Sequence, residues 1–267
     1  MITSADNTNI KFLKSLRNKN VREKNGYFVI EGFKLIKEAF LSGVNIQSVF
    51  YSPSLDLSPD GQSFLQKLLK ICSSSYFISN SLMNSLSDTT TPQGIMAVLK
   101  SDNLVTIYDN NMDFDHGIWL LVYEIQDPGN LGTIIRTADA AGVSGIFLSP
   151  GTVDIFNSKV IRSTMGSIFH IKLFHLKNIL SFISDARKKN VNFFSTNVSQ
   201  GKSYFQVKYT FPCVLVVGNE GHGISEDIIS LSDSILNIPI YGNSESLNVG
   251  VATGIILYEM ARHKYDI

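Results

Sequence analysis

Three apolar runs in the second half of the chain, IWLLVY (118–123), GIFLS (145–149) and CVLVVG (213–218), constrain the fold more than any other feature. None alternates polar with apolar residues. A strand that is apolar at nearly every position needs cover on both faces, and a parallel sheet between layers of helices supplies it. Segments with helical character separate the runs, at 131–141, 158–165 and 177–189, and further strands read at 168–174, 191–196 and 234–240. A short helix after Ile224 and a closing helix complete the pattern. Such alternation predicts an α/β domain with a parallel sheet flanked by helices.

The first hundred residues repeat the theme on a smaller scale. FVIEG (28–32), IQSVFYS (46–52) and IMAVLK (95–100) read as strands, with helices at 33–41 and 64–71. This predicts a small α/β domain over 1–100. SDNLVTIYDNNMDFDHG (101–117) is polar and acidic and reads as a linker. Residues 118–267 are left as the second domain, and 267 residues accommodate two.

Lys plus Arg and Asp plus Glu both number 23, so net charge is zero, which argues against a generic polyanion binder. Local charge differs: KFLKSLRNKNVREK (11–24) holds six basic residues and one acid, Glu23. Such a run is either a solvated helix face or a phosphate-binding surface. No apolar run reaches the roughly 18 residues of a membrane span. The opening MITSADNTNIKFLK has no apolar core of a secretory signal. Cys72 and Cys213 fit no zinc or redox spacing and read as reduced structural thiols of a cytoplasmic protein.

Ligands of open parallel sheets bind beyond the carboxyl ends of the strands. Three loops there have unusual composition. In EIQDPGNLGTIIRTADAAG (124–142), Pro128 and Gly129 form a tight turn and Asn130 reads as the helix N-cap. Leu131, Ile134, Ile135, Ala138 and Ala141 share one helical face, and Arg136 points away from it. In VLVVGNEGHGIS (214–225), three glycines follow a strand in the order G-x-x-G-x-G, which is neither a dinucleotide fingerprint nor a phosphate loop. In GNSESLNVGVATGIILYE (242–259), a polar loop runs into an uncharged helix with Gly250 and Gly254 on one face. Interior glycines cost about 1 kcal/mol relative to Ala, which makes sense where another backbone or another subunit packs closely. Each loop also has an ordinary reading: a solvated arginine beside a cap, a rim carboxylate at Glu220, a tolerated core helix. No hydrolytic triad, metal cage or paired-carboxylate site is legible in the chain.

Taken together and in this order, the three loops resemble the SpoU/TrmH family of RNA ribose 2′-O-methyltransferases, in the SPOUT superfamily. SKVIRSTMGSIFHIK (158–172) resembles the family's Arg-Ser-x-Gly segment, and the basic run, FVIEG and SDTTTPQGIMAVL (87–99) resemble its ribosomal-protein-like RNA-binding domain. The resemblance implies a deep trefoil knot around an S-adenosylmethionine (SAM) pocket and a homodimer formed through the C-terminal domain. It implies that Gly218, Ile238 and Leu247 hold SAM, with Thr196 and Asn219 beside them. It places Asn130, Arg136, Glu220, Ser246 and Asn248 in the reacting centre, and Arg17, Lys19, Arg22 and Arg162 on RNA phosphates. No metal is implied. The implied substrate is 23S ribosomal RNA. Transfer RNA, base methylation, a non-catalytic ribosome-assembly role and a nucleotide-dependent oxidoreductase are the alternatives, the last disfavoured by the missing dinucleotide fingerprint.

Overall fold

The structure, a computed structural model, describes residues 1–266. In chain order the elements are α1 (Thr8–Ser15), α2 (Lys19–Asn25), β1 (Tyr27–Glu31), α3 (Phe33–Leu41), β2 (Ile46–Tyr51), α4 (Pro59–Ile71), β3 (Ser74–Phe77), α5 (Asn80–Leu86), β4 (Ile95–Lys100), β5 (Val105–Ile107), β6 (Ile118–Val122), α6 (Pro128–Ala140), β7 (Gly145–Leu148), α7 (Ser158–Thr164), β8 (Leu173–His175), α8 (Ile179–Lys188), β9 (Asn192–Thr196), β10 (Lys202–Ser203), β11 (Cys213–Val217), α9 (Glu226–Ile229), β12 (Ser234–Asn237) and α10 (Val249–Tyr265). They form two compact units, one of Met1–Asn103 with Phe156–Phe169, the other of Leu104–Ile155 with His170–Ile267.

The first unit is built on a four-stranded sheet in the order β1-β4-β2-β3. Strand β4 is buried from Ile95 to Leu99 and pairs antiparallel with both neighbours. Ile10, Leu13 and Leu16 of α1 and its exit pack with Leu82, Met83 and Leu86 of α5 against one sheet face. Helix α7 belongs to this unit although its sequence lies between strands of the other. It packs on β1, and the Phe28 and Phe156 rings meet tilted, with centroids 4.6 Å apart.

The second unit is an eight-stranded sheet in the order β10-β12-β9-β11-β6-β7-β8-β5, parallel at every pairing. The apolar runs occupy its centre: every residue of β6, β7 and β11 is buried. One face carries Trp119, Leu121, Phe147, Val214 and Val216, packed with Phe182 and Ile183 of α8 and Ile228 of α9. Leu120, Val122, Leu215 and Val217 alternate onto the opposite face. Helix α10 packs against β11 and α6.

Three expectations need correction. The stretch read as a linker supplies strand β5, which pairs with β8 at the sheet edge, and Tyr108, Met112 and Phe114 pack against the aromatic core. The strand read at 168–174 is only Leu173–His175, because Met165 and Gly166 take positive φ and a 3₁₀ turn follows at Ser167–Phe169. The strand read at 234–240 ends at Asn237, and Pro239 beyond it has no N–H to offer a ladder.

The two helical glycines meet a helix of the same chain. A Cβ on Gly250 would lie 3.0 Å from Thr133 Cγ2, and one on Gly254 would lie 3.3 Å from Thr137 Cγ2. Thr133 and Thr137 are one turn apart on α6, so α10 approaches α6 closely along both glycines, more tightly at Gly250 than at Gly254.

Candidate active site

Strand β6 ends at Val122, and the chain leaves it through Glu124, whose φ of 52° lies in the left-handed region disfavoured for a residue with a side chain. The Glu124 N–H donates to Ser149 Oγ at 2.8 Å, which holds this conformation against the neighbouring strand end. Asp127 then caps α6, accepting from the Asn130 N–H at 2.8 Å, with Pro128 in the first helical position. Asn130 is therefore not the cap, as the sequence reading had it. The helix begins earlier, and the Asn130 amide is free for other partners.

Beyond β11 the chain turns back through Gly218. A Cβ there would lie 2.6 Å from the Gly223 carbonyl carbon and from Ile224 Cγ1, so the turn's own return requires the glycine. Asn219 and Gly223 exchange two backbone hydrogen bonds of 3.1 and 3.0 Å. The Asn219 side chain accepts from the Gly221 and His222 N–H groups at 2.8 and 3.2 Å and donates to the Glu124 carbonyl at 2.7 Å. Its amide thus fastens the second loop to the first.

Glu220 completes that junction. Its Oε2 accepts from the Gln126 N–H at 3.1 Å, and its Oε1 accepts from the Asp127 N–H at 3.1 Å and from Asn130 Nδ2 at 2.9 Å. Asn130 Oδ1 accepts from Asn248 Nδ2 at 2.9 Å. Asn248 Oδ1 in turn caps α10, accepting from Gly250 and Val251 N–H at 2.9 and 3.3 Å. The direction of this relay is fixed by chemistry. A carboxylate only accepts, so Asn130 must turn its NH₂ to Glu220 and its oxygen to Asn248. Asn248 must then donate to Asn130 and present its oxygen to the helix N–H groups. Burial pushes the Glu220 carboxyl up. The hydrogen bonds from Asn130 and the backbone outweigh that and hold it below the usual carboxylate value.

The other residues singled out from sequence stand apart from the relay. Arg136 is exposed on α6, about 9 Å along the axis from Asn130 at 1.5 Å per residue. It makes no hydrogen bond or ion pair with the other described residues. Ser246 is exposed; its carbonyl accepts from Ser244 Oγ at 2.8 Å, and its hydroxyl bonds to none of the described residues. Thr196 ends β9, Gly218 follows β11 and Ile238 follows β12. Those strands are neighbours, in the order β12-β9-β11, so the three residues gather at adjacent carboxyl ends. Thr196 Oγ1 donates to the Val216 carbonyl at 3.2 Å. Tyr241 and Leu247, on the loop that follows, are 90% and 38% exposed, apolar surface for something to cover.

The basic residues divide differently from the sequence reading. Arg22 is buried. Its Nη1 donates to the Leu16 and Arg17 carbonyls at 2.7 and 2.8 Å, satisfying the end of α1 where a phosphate contact had been expected. Arg17 Nη2 is held by Asp88 at 2.9 Å and by the Leu86 carbonyl at 2.8 Å. Lys19 is exposed, 3.7 Å from Glu23. Arg162, half-buried on α7, belongs to the first unit and bonds none of the other described residues through its guanidinium.

Sequence reasoning missed Glu124, Gln126, Asp127 and Ser149 as parts of the junction. Asp127-Pro128 was the legible signal, since Asp before Pro is a common way to open a helix. Nothing in the sequence announced the left-handed backbone at Glu124.

The family model for the SpoU rRNA Methylase family matches residues 117–258, and that for the MRM3-like substrate binding domain matches residues 7–97. The 23S rRNA (guanosine(2553)-2′-O)-methyltransferase RlmP of Bacillus subtilis is 35% identical over 261 residues, covering 97% of this chain and 98% of that protein. The AdoMet-bound rRNA methyltransferase from Sinorhizobium meliloti superposes with a TM-score of 0.86 at 30% identity, over 98% of this chain and 97% of that one. The SpoU methyltransferase AviRb from Streptomyces viridochromogenes, in complex with AdoMet, gives 0.85 at 25% identity, over 97% and 98%.

Proposed function

The chain belongs to the SpoU rRNA methylase family, and on that premise we propose that its three joined loops transfer a methyl group from SAM to a ribose 2′-hydroxyl of 23S ribosomal RNA. The observation that carries this reading is the relay from Glu220 through Asn130 to Asn248, which ties all three loops into one surface. The strand ends fit the cofactor. Thr196, Gly218 and Ile238 offer backbone groups and apolar surface side by side, and Leu247 supplies exposed apolar cover from the third loop.

SAM supplies a methyl already activated by a sulfonium, so the protein's task is alignment. Well-oriented groups gain up to about 7–11 kcal/mol from position alone. The relay fixes the loops before substrate arrives, and Ser246 presents a hydroxyl with no internal partner to the incoming RNA. Arg136 presents a planar cationic fork of N–H donors and has no acceptor with which to take a proton. Its role is to hold the phosphate beside the target ribose and to stabilise negative charge growing on O2′. The 2′-hydroxyl proton leaves to that phosphate or to water as the O–CH₃ bond forms and the S–CH₃ bond breaks.

The working form is a homodimer acting in the cytoplasm. Val251, Tyr258 and Tyr265, seven residues apart along α10, are 52%, 57% and 51% exposed and form one apolar stripe suited to a second copy. The final segment, threaded as a knot, would hold SAM with the polar loop 242–248.

The test is incubation with methyl-labelled SAM and ribosomal RNA or transfer RNA, followed by alkaline hydrolysis. Label in ribosomal RNA, retained in alkali-resistant dinucleotides, supports the reading. Label in transfer RNA only, or in alkali-labile nucleotides, overturns the substrate or the ribose assignment respectively.

A further inference from the structure

The first unit contains a cavity of about 180 Å³ between α1, β1, β4 and α7. That is several times the roughly 30 Å³ share of a liquid water and below the roughly 300 Å³ at which sites for drug-sized ligands begin. About half of its lining residues are apolar, Leu13, Val29, Leu35, Met96 and Ile161 among them, and Asn157 and Ser158 add neutral polar groups. Six charged groups also line it, of which Arg17 is held by Asp88 and Arg22 donates to the Leu16 and Arg17 carbonyls. Lys14 and Arg162 line it and pair with none of the other described residues. Glu31 and Asp88 line it too and are fixed in place. Glu31 Oε1 accepts from Ser87 Oγ at 2.6 Å and Thr89 Oγ1 at 2.9 Å, and Asp88 holds Arg17 at 2.9 Å.

We propose that this cavity receives one unpaired nucleotide of the RNA substrate, its base between the apolar walls and its phosphate on Lys14 and Arg162. The proposal rests on the reading of the chain as an RNA methyltransferase. A bare anion at Lys14 and Arg162 would meet the two carboxylates as well, while Arg17 and Arg22 are engaged by Asp88 and by backbone carbonyls. A nucleotide uses both, because a base edge carries N–H donors for carboxylates and the phosphate takes the cations. The apolar walls suit a planar ring, and sequence-specific proteins read single-stranded RNA through splayed-out bases. The unit's match to a substrate binding domain agrees with the assignment.

The test measures affinity of the full chain for ribosomal RNA across a salt series, with SAM affinity and thermal melting as controls. Arg162→Ala and Lys14→Ala should each weaken RNA binding by about fivefold or more and reduce the salt slope by about 0.7–0.9, one phosphate contact. Val29→Phe and Leu35→Trp, which fill the slot from two walls, should weaken binding with the slope unchanged. SAM affinity should stay within about twofold in all four, since every substitution lies in the first unit and the cofactor residues in the second. If both filled variants fold and bind RNA as the parent does, the slot is empty and the proposal fails, whatever the cations do. If only the cation variants lose affinity, the contact is a surface phosphate and no base enters. Methyl transfer by the unaltered chain is read separately, so failure of the slot and failure of the methyltransferase reading are distinguishable.

Discussion

Asn130 and Glu220, 90 residues apart in sequence, meet through a 2.9 Å hydrogen bond from Nδ2 to Oε1. The same carboxylate accepts the Gln126 and Asp127 N–H groups. Glu220→Ala would leave all three donors without their acceptor. Unanswered donors cost about 1–3 kcal/mol where water cannot replace the partner. We expect a lower denaturation midpoint and a fall in kcat larger than any change in SAM affinity. Wild-type kcat in this variant would show that the relay does not organise the reaction.

The depressed Glu220 pKa fixes the direction of a pH effect. Folding favours the charged form, so the stabilisation is fully present above the ordinary carboxylate value of about 4.3. It is lost as pH falls through the lower, folded value. Thermal melts should therefore show an acid decline that Glu220→Gln reduces. Methyl transfer should show no limb from this carboxyl near neutral pH. A limb near neutral pH that vanished in Glu220→Gln would contradict the assignment.

Arg136 is tested by comparing Ala with Lys. Losing a preorganised donor to developing negative charge costs on the order of 10²–10³ in rate. Arg136→Ala should fall in that range with SAM affinity unchanged within about twofold. Lysine keeps the charge but not the planar fork, so Arg136→Lys should recover only a minor part. Near-complete recovery would mean that a point charge suffices and the two-pronged phosphate grip is wrong.

The two glycines of α10 should respond unequally. Gly254→Ala adds a methyl 3.3 Å from Thr137 Cγ2 but gains about 1 kcal/mol of helix propensity. Its melting temperature should stay close to the parent's. Gly250→Val places a branched side chain where even a Cβ sits 3.0 Å from Thr133, and overpacking costs about 1–3 kcal/mol. Asn248 caps this helix, so the Val variant should also lose methyl transfer. Equal melting temperatures in the two variants would show that α6 yields freely.

Arg22 separates structure from recognition. Arg22→Ala removes the donor to the Leu16 and Arg17 carbonyls and should destabilise by about 1–3 kcal/mol. The salt slope of RNA binding should stay unchanged, since no phosphate contact is lost. A reduced slope would return Arg22 to the RNA surface.

The sheet of the second unit was legible because strands buried on both faces have little room for polar residues, and IWLLV, GIFL and CVLVV have almost none. The three loops were legible as a group, and Asn130, Glu220 and Asn248 do meet. Strand β5 was not legible: VTI is three residues long, and edge strands carry a weak pattern. A run of cations looks the same whether each is solvated or one, as at Arg22, turns inward to finish a helix. Asn130 lies three residues past the true cap, because Asp127 before Pro128 opens the helix. Glu124 was invisible, since its backbone is set by Ser149, 25 residues away.

The placement of α7 has a consequence for how this protein can be divided. Phe28, with no exposed surface, rests on Phe156, a residue encoded between two strands of the other unit. Severing the chain after Asn103 would not release two self-sufficient modules. The shorter piece would lose the cover over its first strand, and the longer one would carry an orphaned helix with its apolar side bare. Inheritance, recombination and truncation act on contiguous sequence, whereas this boundary is crossed three times. The two halves can only be exchanged together with a borrowed loop, so they are bound to change as one.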